Sequence, residues 1–230
     1  MPDLGQFLYI LSIVAIPAIV AITFHEAAHG YAALKLGDDT ALRLGRVSFN
    51  PIRHVDPFGT VLLPLILALT TGFVFGWAKP VPVNFNRLNN PRRDMVWVAL
   101  AGPGVNIALA LASALLLHVA GLMPDYFAEW FVANLQFSVL INVILAVFNM
   151  IPLPPLDGGR VAVGILPYPL ARPLAQLERY GMLILIGVIF LLPFVAGQLG
   201  YPFSPISWLL GPPVEYIQTL IFQVTGLLPW

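Results

Sequence analysis

The 230-residue chain is 59% hydrophobic and 10% charged, with mean hydropathy +0.86, values that exclude an ordinary soluble domain and identify an integral membrane protein. Its formal net charge is zero, so no bulk field singles out nucleic acid or an acidic ligand as partner, and no nucleic-acid role is expected. It has no cysteine, which removes disulfides, thiolate metal ligands and cysteine nucleophiles together.

Apolar stretches divide the chain into five or six membrane segments: residues 5–36, 58–76, 95–122, 130–151, 181–199 and, more weakly, 205–228. The expected fold class is an all-α polytopic membrane protein, a single domain over residues 1–230. Its catalytic core would cover about residues 5–160, with C-terminal membrane segments at about 178–228. The first segment is about thirty residues, or ~45 Å as one helix, longer than the ~30 Å hydrocarbon core. An apolar run from Phe7 to Phe24 leads directly into His25-Glu26-Ala27-Ala28-His29. No basic residue precedes that run, so a cleaved signal peptide is not expected.

In a helix, residues four apart share a face, so the imidazoles of His25 and His29 can meet one metal while Glu26 reaches water beside it. Polar residues inside a bilayer are costly and are usually functional. Without cysteine, a third ligand must be His or a carboxylate. Asp157 is one candidate. Three prolines between Ile151 and Leu156 forbid a regular helix, and Gly158-Gly159 permits turns, so the chain unwinds where the fourth segment ends. His54, between Asn50-Pro51 and Asp56-Pro57, is the rival and would complete a three-histidine site. Asn106, in Ala101-Gly102-Pro103-Gly104-Val105-Asn106, is a candidate to bind substrate or to join helices. His118 is expected to pack at the opposite end.

All eleven basic residues fall in three clusters: Lys35 to Arg53, Lys79 to Arg93, and Arg160 to Arg179. Cationic loops favour the cytoplasm, which orients the first segment out to in, the third in to out and the fourth out to in. Residues 58–76 then have cytoplasmic charge at both ends, which a single crossing cannot satisfy. They are read as a re-entrant hairpin bending near Pro64 and Thr70-Thr71-Gly72. Its flanks, residues 40–49 and 80–85, read as short strands that could offer an edge to an extended peptide.

These motifs together resemble the site-2 protease family of intramembrane zinc metalloproteases. The resemblance rests on His25 to His29, on Ala101 to Asn106 and on Asn149 through Gly158, in the family's order, and fits its compact bacterial form without a PDZ or CBS domain. Residues 45–57 also look like a loop carried by such compact members. The resemblance implies one Zn²⁺ held by His25, His29 and Asp157, with Glu26 as general base and Asn149 bracing the site. It also implies transmembrane proteins or peptides as substrates, the lipid bilayer as surroundings and the inner, cytoplasmic membrane as location. Competing classes are a membrane metal-ion transporter and a non-catalytic scaffold. Retention of Glu26, which is not needed to hold metal, argues against the scaffold.

Overall fold

Alanine shapes the centre of this fold. In α1 (Leu4–Lys35), Ala21, Ala27 and Ala33 are fully buried, while Phe7, Leu8 and Ile10 are exposed. Small side chains let membrane helices approach closely, and the large apolar ones are left to face lipid. The structure, a computed structural model, describes residues 4–63, 66, 76–201 and 203–227.

Asp38 ends the polar turn after α1 and starts α2 (Thr40–Arg43) by accepting hydrogen bonds from Thr40 N at 3.0 Å and Thr40 Oγ1 at 2.5 Å. An Asp39–Arg43 ion pair at 2.7 Å then spans the helical turn. This corrects the strand expected over residues 40–49: a local carboxylate anchor outweighs a partial alternation of side chains. Asn50 caps a 3₁₀ turn, Pro51–His54, and Asp56 caps a π-type turn, Pro57–Leu62, each side chain accepting from backbone N–H groups two or three residues on. The bends expected at Pro64 and Thr70 to Gly72 lie outside the described residues.

Residues 76–84 are neither helix nor strand, so the second expected strand, over 80–85, is also absent; no strand forms among the described residues. Prolines 80 and 82 remove donors that a ladder would need. The segment is tied down instead by Trp77 N to Gly59 O and Lys79 N to His54 O, at 3.0 and 2.9 Å.

α3 (Pro91–Leu117) begins with proline at its first position, and Asp94 Oδ2 reaches back to accept from Asn90 N at 2.7 Å. α4 (Asp125–Asn149) returns beside it, and α1, α3 and α4 pack on one another. α5 (Asp157–Ile165) leans on α3, followed by α6 (Tyr168–Gln176). α7 (Glu178–Gln198) is interrupted by a π-type turn at Gly187–Leu191. α8 (Pro205–Val224) closes a core of Ala110, Ala114, Val139, Val143, Leu210, Val214 and Ile221 from α3, α4 and α8.

Among the described residues, α1, α3, α4 and α7 are long and apolar enough to cross a membrane. Four such helices stand against the five or six segments expected. Part of the difference is the second expected segment, which falls mostly outside the described residues. α8 is a helix of 20 residues that does not belong to that set.

Candidate metal centre

Two helical turns and one irregular loop bring three ligand atoms together. His25 Nε2 and His29 Nε2 lie 3.0 Å apart on α1. Asp157 Oδ2, at the start of α5, lies 3.2 Å from the first and 3.3 Å from the second. All three residues are buried.

The loop from α4 to α5 delivers Asp157 through Pro152, Pro154 and Pro155. A Cβ at Gly158 would lie 2.2 Å from Met150 O, so only glycine lets the chain fold back this tightly. α3 meets the histidines equally closely: a Cβ at Gly102 would lie 2.5 Å from His29 Nε2 and 2.6 Å from His25 Nε2.

The other ring nitrogens decide what these atoms do. His29 Nδ1 lies 2.7 Å from Val98 O, an acceptor only, so Nδ1 carries the proton. His25 Nδ1 lies 2.6 Å from Asn106 Oδ1 and donates to it. Both Nε2 atoms are therefore acceptors, and the Asp157 Oδ2 they face is itself buried without a hydrogen bond. Three lone pairs turned on one point at 3.0–3.3 Å repel one another unless a cation lies between them. With zinc–ligand distances of about 2.0–2.1 Å, a tetrahedron has edges of roughly 3.3 Å, so this spacing fits that ion.

Glu26, the second residue of the motif, is half-buried beside this cluster, and its Oε2 accepts from Val81 N at 2.7 Å. It lines a cavity of about 250 Å³ with the three clustered side chains, Asn149 and Arg160. Asn149 is tethered by Nδ2 to Leu145 O at 3.0 Å. Three turns beyond the motif, Asp38 holds the same segment by accepting from Asn84 N at 2.7 Å. Burial pushes the Asp38 carboxyl up, but hydrogen bonds from Thr40 and Asn84 N and the nearby Arg87 guanidinium outweigh it and hold it below its ordinary value.

The remaining sequence candidates are placed elsewhere. His54 is buried, but its Nε2 bonds Ser48 O at 2.8 Å and it lines a separate apolar recess with Ile22 and Pro51. Asn106 is fully buried and does not line the cavity; it touches protein groups rather than a substrate position. His118 joins the end of α3 to α8 through Thr225 O at 2.7 Å. Sequence reasoning did not single out Asn142 or Arg160, and it placed Val81 only in a flank that could offer an edge to an extended peptide. Asn142 did carry a signal: it lies seven residues before Asn149, two helical turns away on the same face.

The profile of Peptidase family M50 matches residues 118–194. The chain is 37% identical over 206 residues to "Putative zinc metalloprotease YwhC" of Bacillus subtilis (strain 168), covering 83% of this chain and 87% of that one. It is 31% identical over 192 residues to the protein of like description, Rip2, of Mycobacterium tuberculosis (strain ATCC 25618 / H37Rv), covering 83% and 70%. A third relative, MJ0611 of Methanocaldococcus jannaschii, is 29% identical over 160 residues, covering 70% and 73%. No solved structure matches the chain. Neither the transporter nor the scaffold reading is favoured by these matches. With its apolar helices, its His-Glu-x-x-His motif and these relatives, the chain belongs to Peptidase family M50, the site-2 protease family, and is an intramembrane zinc metalloprotease.

Proposed function

We propose that His25, His29 and Asp157 hold a single zinc ion and leave one position open, and that Glu26 is the general base for peptide-bond hydrolysis. The observation that carries this reading is the meeting of three buried acceptor atoms whose neighbouring ring protons are engaged elsewhere. Zinc bound there supplies a Lewis-acid centre that acidifies water and polarises a carbonyl. Val81 N–H holds Glu26 Oε2, which leaves Oε1 to take a proton from water and return it to the departing amine. Asn149, fixed through Leu145 O, presents an amide at the cavity wall and braces the site.

A helical segment keeps its carbonyls in i to i−4 hydrogen bonds, so the scissile carbonyl is reached only once the substrate segment unwinds, and residues of low helix propensity around the scissile bond lower that cost. Transmembrane segments of single-span proteins are the proposed substrates. The Lys and Arg distribution favours a multi-pass placement in the cytoplasmic membrane with the site near the cytoplasmic face.

The test is zinc analysis of purified protein combined with cleavage of a transmembrane peptide. Glu26→Gln is expected to keep zinc and lose at least 100-fold in turnover, in line with removal of a general base. Asp157→Ala is expected to lose zinc, and His54→Ala to retain it. Full zinc in Asp157→Ala, or full turnover in Glu26→Gln, would overturn the assignment.

A further inference from the structure

A chain of buried amides runs from the metal centre into the helix bundle. Asn106 Nδ2 donates to Ala21 O at 3.2 Å and to Asn142 Oδ1 at 2.8 Å. Asn142 Nδ2 donates in turn to Ser138 O at 2.9 Å. Ser138 Oγ and Ser113 Oγ meet at 2.7 Å. Asn106 is fully buried and Asn142 is 1% exposed, so neither can exchange these partners for water.

The direction of each amide bond in this chain follows from its two backbone ends. A carbonyl only accepts, so Ser138 O compels Asn142 to turn its NH₂ that way and its Oδ1 toward Asn106. That oxygen, together with Ala21 O, compels Asn106 to present NH₂ to both and Oδ1 to His25. An oxygen at 2.6 Å from His25 Nδ1 then places the ring proton there and leaves Nε2 free to bind metal. The contrast with His29 is informative, since Val98 O fixes that ring directly with no relay.

We infer that Asn142 is a positioning residue, acting through Asn106, that fixes the tautomer and orientation of His25. The inference rests on the reading of His25 as a zinc ligand. Asn142 touches neither substrate nor metal. Its effect reaches the centre because a flipped Asn106 amide would set an N–H against His25 Nδ1 and an oxygen against Ala21 O. Partners of metal-binding histidines typically contribute 10–100-fold to metal affinity.

The experiment uses the full chain purified in detergent, with zinc affinity measured by chelator competition. Asn142→Leu removes the acceptor at similar volume and is expected to weaken zinc binding about 10-fold or more. Asn106→Ala should do at least as much. The double variant should be no weaker than Asn106→Ala alone, because one effect passes through the other. Histidine ¹⁵N spectra of zinc-free protein, with His25 assigned by His25→Gln, should show the Nδ1–H form in wild type and a mixture of tautomers in Asn142→Leu. Asn142→Ala replaces Asn142→Leu with the same expectations if the latter is not recovered folded. Wild-type zinc affinity in the Asn142 variant, additive losses in the double variant, or an Nε2–H tautomer in wild type would each overturn the inference. Full zinc binding by His25→Gln would instead overturn the ligand reading on which it stands.

Discussion

A methyl group is enough to test the metal centre from the side that carries no ligand. At Gly102, added carbon would lie 2.5 Å from one imidazole nitrogen and 2.6 Å from the other, so either α3 withdraws or the rings turn. Overpacking of this kind costs about 1–3 kcal/mol, and 1.4 kcal/mol is tenfold in a binding constant. Gly102→Ala is therefore expected to weaken zinc binding by roughly tenfold or more while the helices remain folded, measured by residual zinc after chelator dialysis and by circular dichroism. The residues at this scale were unequally legible. His25, Glu26 and His29 follow from helical spacing alone, because their geometry is local. Asp157 could be narrowed only to a choice with His54, since the contact joins distant parts of the chain. Asp157 Oδ2 lies beside both imidazoles, whereas His54 turns its Nε2 to Ser48 O. Asn142 was passed over although the Asn142–Asn149 interval marks a shared helix face, because a single amide between apolar residues also fits ordinary helix packing.

The segment of residues 76–84 is an element without secondary structure of its own, and two carboxylates from the α1 side hold it. Glu26 takes Val81 N–H and Asp38 takes Asn84 N–H, so a change at Asp38 reaches Glu26 through the backbone. Asp38→Ala leaves the Asn84 amide without its charged acceptor, a loss on the order of 3 kcal/mol, and that amide should then exchange on the order of 100-fold faster. The Asp38–Asn84 bond has a definite pH dependence. Asp38 is held below its unfolded value, so its stabilisation is complete above about pH 4 and fades as pH falls through the lower, folded value. Asn84 exchange, corrected for the intrinsic rate, should accelerate on acidification in wild type and lose most of that dependence in Asp38→Asn. Val83 N–H forms no hydrogen bond among the described residues and is proposed as a donor to an extended substrate. Val83→Pro should reduce cleavage at least severalfold without loss of zinc, measured on one preparation. The strands expected here failed for a reason visible in the residues: alternation was read at 40–49, but Asp38 and Asp39 offered the backbone nearer partners.

At the scale of the molecule, membrane character was legible because it follows from composition, whereas the crossing count depends on a segment whose ends carry the same charge. The absence of cysteine makes this directly testable. Single cysteines replacing Ser48, Asn86 and Ile165 are expected to react from the cytoplasmic side and one replacing Asp125 from the other side, read with an impermeant maleimide. Opposite labelling at 48 and 86 would mean that residues 58–76 cross. The length of α1 has a further consequence. Its apolar run, Phe7 to Phe24, measures about 27 Å, close to the thickness of a thin bilayer's hydrocarbon layer, and the motif begins where that run ends. Thicker membranes reach about 33 Å, and the extra ~6 Å equals the four residues from His25 to His29. Acyl chain length is therefore expected to act as a dial on the water supply of this enzyme: in short-chain lipid the motif would meet the wet interface, and in long-chain lipid it would sink by about one helical turn. Turnover in proteoliposomes should fall as the acyl chains lengthen, with bound zinc unchanged.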